Sequence, residues 1–571
     1  MAIGQKGEHG EEWRLGIELG DDHEHEYAES PAAAPRNLSR ERLERPVQVV
    51  TAEHLGWAAI AIYAAITRLT ALGARPLDVS EAGHALYEYD LANTGTHLAA
   101  GLHPASSGWL HLLTAGIFTV AGANDFTARI IFALSGLLLI AMAFELRHYV
   151  GRAGGLALGV MLALSPSVMW FSRASATATA AAAMGLVTIA AFMALNARPG
   201  ARRAAILGLF AGLTMAADPA GLMTAAIFVA ALIPIGLWDF VTGKNVRLAI
   251  RVWTDRYSSQ LVLAIVTAAA VWTLSQMMIP GGLSAGGIAR SLAPLGAAGA
   301  PGLMARLGEG LRFYLPLVTL YEFMIAIAAV FGVVVIIALK VRSRFAAWAL
   351  AWLALSVGFF CWSPDRESAS VMAILTPAAV VGAIGLDWLH HSDIWRLVRV
   401  PLAVIALVTL YIGAVANFAS YGPDASEAPW ARHANLYWGA AATTVQTRLY
   451  ARQAAGGIAP ADATVFFEDE NEPAAAPIRW YMRGLRPIAT AAAATVVVSA
   501  KAPAASESQP MAIYSFDYSQ GWQPNFATAK AAEVMRFLLS GKIWGPITAE
   551  NISIMVRKPA TSAPTVIMTP G

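Results

Sequence analysis

The chain has 571 residues, 57% of them hydrophobic, with 40 basic and 38 acidic side chains, so charge makes up only 14% of it. A soluble domain carries about 25% charge and about 45 to 50% apolar residues, which excludes an ordinary soluble enzyme. Apolar stretches of 18 or more residues recur along the sequence and match the thickness of a hydrocarbon core, so the fold class is a polytopic α-helical membrane protein.

Residues 1–50 open with an acidic block and continue with Arg36, Arg40, Arg42 and Arg45. Without apolar residues to build a core, they read as a disordered, charged cytoplasmic tail. From 51 to 418 apolar segments follow one another, and basic clusters punctuate them near 147–152, 198–203, 244–256, 340–344 and 396–399. If every basic cluster is cytoplasmic, the number of crossings between neighbouring clusters is even. The expected spans are 54–73, 126–147, 154–171, 174–196, 204–217, 219–240, 260–279, 313–339, 346–362, 368–389 and 400–418. That is about eleven transmembrane helices. Segment 109–122 is too short to cross and should lie along the outer surface. No helix pair broken near mid-membrane is legible, because Gly and Pro concentrate in loops such as 280–301.

The count places residues 419–571 outside the cytoplasm. Short β-rich runs at 463–467 and 495–499 and an amphipathic stretch at 527–539 predict a small C-terminal α/β domain there. The protein is expected in the cell membrane as a multi-pass chain, with its N-terminus cytoplasmic. The single cysteine, Cys361, excludes an intrachain disulfide. No nucleotide-binding glycine loop and no basic patch interleaved with aromatics is present, so neither a nucleotide cofactor nor a nucleic-acid partner is indicated.

Isolated polar residues fall at one level of this topology. The first outer loop, 74–125, holds Asp78, Glu81, His84, Tyr87, Glu88 and Asp90, then His97, His103 and His111. Arg129 starts the second crossing, Arg173 sits in an outer turn, and Tyr321 with Glu322 lies about two turns into the eighth crossing. A carboxylate such as Glu322 in apolar surroundings calls for a partner, with Arg129 or Arg173 as candidates. Asp78 and Glu81 are three residues apart and share a helix face. Such a pair can supply a general base, can hold a divalent cation with His84 or His103, or can reduce to a helix cap at Asp78. Glu81, Arg173 and Glu322 are expected to face one outer cavity.

Several stretches carry a resemblance: RPLDVSEAGHALYEYDLANTGTHL, HPASSGW, GANDFTARIIFALSGLLLI, LRHYVGRAGG and ALSPSVMWFSR, then Tyr321-Glu322, Gln446-Thr447 and PIRWYMR at 477–483. Together they resemble the GT-C membrane glycosyltransferases, closest to an uncharacterised prokaryotic family related to the protein O-mannosyltransferases of glycosyltransferase family 39. The resemblance implies transfer of a sugar from a polyprenyl-phosphate donor to an extracytoplasmic hydroxyl. On that expectation Glu81 or Asp78 is catalytic, and His84, His103, Arg129, Arg173, Tyr321 and Glu322 line the substrate site. The chain departs from the family pattern at Ser80, which stands where an Asp of the first-loop pair is usual. It departs again after Arg173, where Ala174-Ser175-Ala176 replaces a basic and an acidic residue. These losses keep two other readings open: a catalytically inactive subunit of a larger membrane complex with protein partners, and a lipid-linked sugar flippase.

Overall fold

The structure is a computed structural model, and it describes residues 51–93, 107–236, 246–279, 283–284, 302–339, 343–364, 366–418, 442–443, 445–456, 463–468, 475–499, 511–522, 528–540, 544–545 and 547–557. The charged tail 1–50 lies outside these residues, as do His97, His103 and Asp365.

The chain opens with α1 (Ala52–Leu69), started by a capping box in which the Thr51 side chain accepts from the His54 backbone N–H. The first loop follows with α2 (Val79–Asn93) and α3 (Gly108–Ala121). At 14 residues α3 is too short to span, as expected for 109–122. Next come α4 (Ile130–Val150), α5 (Arg152–Leu164), α6 (Pro166–Ser172), α7 (Thr177–Ala197), α8 (Ala201–Ala217), α9 (Gly221–Ala230) and α10 (Val246–Met277). The membrane part closes with α11 (Leu303–Leu320), α12 (Phe323–Ala338), α13 (Arg344–Trp362), α14 (Val371–His390) and α15 (Trp395–Phe418).

Among the described residues, six helices are long and apolar enough to cross a membrane: Ile130–Val150, Thr177–Ala197, Thr254–Met277, Arg344–Trp362, Ser368–His390 and Trp395–Ala414. Two further segments pass that test only as bent pairs, α5 with α6 at 60° and α11 with α12 at 107°. The remaining three of the eleven expected crossings are α1, α8 and α9, helices of 18, 17 and 10 residues. Apolar length on its own does not carry those three.

The bent pairs correct two expectations. Pro166 begins α6 and its ring cannot continue α5, so the segment 154–171 turns at Ser165. The segment 313–339 is likewise not one straight span, and Glu322 is the N-cap residue of α12 instead of a mid-helix side chain. The chain therefore does contain two broken helices. The first bend coincides with Pro166, whereas the second has no such mark, because the chain turns between Leu320 and Phe323, past Pro316.

Turn chemistry ties neighbouring helices together. Gly151 adopts φ 89° between α4 and α5, a left-handed region that glycine enters without a Cβ clash. The Asp387 carboxylate of α14 fills the space a side chain there would need and accepts from the Gly154 N–H at 3.0 Å. It thereby satisfies a donor at the start of α5.

The C-terminal region folds as expected into α/β structure. Its elements are β1 (Ala442–Thr443), α16 (Val445–Gly456), β2 (Thr464–Phe467), α17 (Ala475–Tyr481), β3 (Arg486–Pro487), β4 (Val496–Ser499), β5 (Met511–Trp522), α18 (Ala531–Ser540) and β6 (Ile547–Arg557). The six strands form one mixed sheet in the order β1-β5-β6-β4-β2-β3. β2 runs parallel to β3 and β4, and the other neighbours are antiparallel. Its apolar core is shared with the first loop: Leu77, Ala82, Ala85 and Phe118 pack in one cluster with Ile478, Trp480, Val496, Phe516 and Ile554.

Candidate first-loop carboxylate site

Asp78 and Glu81 form a reciprocal cap at the start of α2. The Glu81 N–H donates to Asp78 Oδ1 at 2.9 Å, and the Asp78 N–H donates to Glu81 Oε2 at 3.0 Å. This is the capping-box arrangement, in which two otherwise orphaned backbone donors are satisfied. Glu81 is 2% exposed and accepts from three further residues. Arg129 approaches edge-on, with Nε 2.8 Å from Oε1 and Nη2 2.6 Å from Oε2. Arg75 Nη2 donates to Oε1 at 3.0 Å, and the Ser175 N–H does so at 2.9 Å.

Burial opposes the charged form of Glu81, but the guanidinium groups of Arg129 and Arg75 outweigh it and hold the carboxyl below its ordinary value. Asp78 goes the other way: burial, and then the neighbouring Glu81 carboxylate, raise it. One carboxylate is thus a fixed anion and the other titrates closer to neutrality, a division of labour suited to a base beside an electrostatic anchor.

The two arginines expected to line the substrate site are occupied by the protein. Arg129, fully buried, gives its remaining donors to the carbonyls of Leu72, Arg75 and Pro76 at 2.7 to 3.0 Å. Arg173 donates to the carbonyls of Thr67, Thr70 and Ala71, and its guanidinium lies 4.4 Å from the Phe418 ring centroid. Both arginines order the turn between α1 and α2. Arg75, which the sequence did not single out, is the guanidinium with room to do more. It bonds Glu81 along one edge, lies 4.4 Å over the Trp170 ring and stays partly exposed. The only sequence signal for it was its place at the head of RPLD.

His84 follows Glu81 by one turn and stacks edge-on to His111 at 5.2 Å. Its Nδ1 is buried without a hydrogen-bond partner, and burial, followed by His111, lowers the ring to about 3, so it is neutral at physiological pH. His111 Nδ1 lies 2.9 Å from Glu88 Oε1. Among the described residues, no three His, Cys, Asp or Glu side chains gather as a metal-ion site.

Tyr321 and Glu322 have other partners. Glu322 pairs with neither Arg129 nor Arg173. Its Oε1 accepts from Ser165 Oγ at 2.8 Å and from the Ser167 N–H at 2.6 Å, so the two bent pairs meet at this carboxylate. Tyr321 is buried with its ring 6.0 Å from that of Phe537 in α18. A small pocket lies among Ala178, Asp218, Phe228, Trp352, Phe360 and Thr376. It contains Asp218 but none of Glu81, Arg173 or Glu322, which therefore do not converge on it.

The PIRWYMR run has a structural role that the sequence did not assign. Trp480 Nε1 and Tyr481 Oη donate to the Asp125 carboxylate at 2.7 and 3.1 Å, and the Leu77 N–H donates to Tyr481 Oη at 2.9 Å. Arg483 Nη2 donates to the Ala123 carbonyl at 2.5 Å. These bonds clamp the sheet onto the first loop, one residue from Asp78.

No protein-family model matches the chain, and no curated protein matches it. Among solved structures it is similar to ArnT from Cupriavidus metallidurans in the apo state, with a TM-score of 0.51 and 15% identity over 76% of this chain and 86% of that one. It is similar also to ArnT from the same organism bound to undecaprenyl phosphate, with a TM-score of 0.50 and the same identity and coverage. At that identity the likeness establishes architecture, and the chain has an ArnT-like GT-C fold with a small sheet domain near its C-terminus.

Proposed function

We propose that the protein is a membrane glycosyltransferase that moves a sugar from a polyprenyl-phosphate donor to an acceptor hydroxyl on the outer side of the membrane. The observation that carries this reading is the first-loop pair, one carboxylate neutralised by arginine and one raised toward neutrality, in a fold shared with a protein that binds undecaprenyl phosphate. Asp78 is the base: it takes the acceptor proton as the acceptor oxygen bonds to the anomeric carbon. The bond from that carbon to the phosphate oxygen breaks, and its electron pair leaves with the polyprenyl phosphate. Direct displacement inverts the anomeric centre. Glu81 positions Asp78 through the reciprocal cap, and Arg75 faces the leaving phosphate, where a guanidinium suits phosphate geometry.

The test uses the full chain in membranes with a panel of undecaprenyl-phosphate sugars. Wild type should consume one donor, and Asp78→Asn should lose about 10²- to 10⁴-fold in turnover while folding normally, because Asn caps a helix as well as Asp. Turnover by wild type should also fall as pH drops through the raised Asp78 value. No donor consumed by wild type defeats the enzymatic reading, and equal turnover by Asp78→Asn defeats the base assignment.

The noncatalytic-subunit reading draws on one specific observation: Arg129 and Arg173 spend their donors on backbone carbonyls and Glu81. It predicts an unchanged donor with every sugar in the panel.

A further inference from the structure

The helix α18 is apolar on two opposite faces. One face turns Phe537 and Val534 into the membrane-helix core, where Phe537 meets Tyr321 and Trp544. The opposite face shows Met535, 55% exposed, and Leu539, 66% exposed, beside exposed Ala531, Ala532 and Arg536. An outward face of large apolar side chains flanked by one basic residue suits a helix lying in a membrane interface better than one in water.

The position of the helix identifies the cover. Tyr411 Oη of α15 donates to the Leu539 carbonyl at 2.8 Å, which satisfies one of the free carbonyls at the end of α18. Tyr411 lies within the span Trp395–Ala414 and ends a stripe of exposed residues, Leu397, Val400, Val404 and Leu407, that follows one face of that span. Such a stripe on a membrane-crossing helix faces lipid, and tyrosines concentrate where the span meets the interface. Met535 and Leu539 therefore continue a lipid-facing surface. Lys530 and Glu533, which close the start of the helix through a bond from the Lys530 N–H to Glu533 Oε2, mark its polar end.

We infer that α18 is an interfacial membrane helix, seated in the acyl-chain boundary of the leaflet on the side of the sheet domain, with Met535 and Leu539 in lipid and Phe537 inserted against Tyr321. The C-terminal domain would then hold the bilayer by a second attachment independent of the clamp on the first loop.

Cys361 is the one cysteine, so Cys361→Ala provides a background for single nitroxide labels at Met535→Cys, Leu539→Cys and, as a lipid-facing reference, Val404→Cys. In nanodiscs of phosphatidylcholine and phosphatidylglycerol, labels at 535 and 539 should share the preference of 404 for oxygen over a water-soluble nickel chelate as relaxing agent. A preference for the chelate at both positions overturns the inference by showing water, and protection from both agents overturns it by showing a protein cover. The unlabelled wild type gives a second readout: a phosphatidylcholine with a diazirine in its acyl chain should leave adducts on residues 531–540. Adducts on 395–414 with none on 531–540 would overturn the inference even if the cysteine variants fold poorly.

Discussion

Two guanidinium groups, one backbone N–H and the reciprocal cap converge on a single buried carboxylate, and Glu81 is consequently the residue on which the first loop is built. Removing one member of a buried ion pair leaves the other uncompensated and costs about 3 to 5 kcal/mol. Glu81→Gln should destabilise by that order in thermal unfolding, and the double variant Glu81→Gln with Arg129→Met should lose less than the sum of the single losses. Additive losses would mean that the two side chains are not coupled. The pH dependence follows from the depressed Glu81 carboxyl. Its contribution is fully present above the ordinary carboxylate value and is lost as pH falls through the lowered one. Wild type and Glu81→Gln should therefore differ most near neutral pH and converge in strong acid. The sequence made the Asp78–Glu81 pair visible because the two are three apart. It could not show what surrounds Glu81, since Arg129 lies 48 residues on and Ser175 lies 94 on.

Helices were legible where one continuous apolar run fills a span, as in Ile130–Val150 or Thr177–Ala197, and misread where a span bends. Hydropathy averages over a turn as short as Tyr321-Glu322, so the apolar runs on either side of the 107° bend look like one helix. Close packing is equally silent in composition. Gly332 on α12 meets the Val381 carbonyl on α14, and Gly385 returns to the Gly332 backbone, so a side chain at Gly332 has no room. Small residues of this kind let membrane helices approach backbone to backbone, where association rests on contact instead of exclusion from water. Gly332→Leu should cost about 1 to 3 kcal/mol or more through overpacking and lower the unfolding temperature in detergent. Gly358→Leu serves as its control, since that glycine has open space around it and should leave the temperature near wild type.

At the scale of the whole molecule, the composition shift at 419 marks a boundary in sequence that the packing does not respect. Polar residues return there, but the buried Trp480, Ile478 and Val496 share a core with Leu77, Ala82 and Phe118 of the first loop. Asp125 ties the two parts by accepting from both Trp480 and Tyr481. Taking the first loop away would expose those apolar side chains to water and remove the acceptor that Trp480 and Tyr481 share. A fragment of residues 441–557 should therefore fail to reach the structure it has in the full chain. Expressed alone, it should bind a hydrophobic dye and exchange the amides of β2 and β4 rapidly, whereas the same amides in the full chain in nanodiscs should be protected. The substitution Asp125→Ala in the full chain should fall between these limits, loosening 475–483 while the distant β5–β6 ladder stays protected. A fragment as protected as the full chain would show that the sheet carries its own core and that the contact with the first loop is only a docking of finished parts.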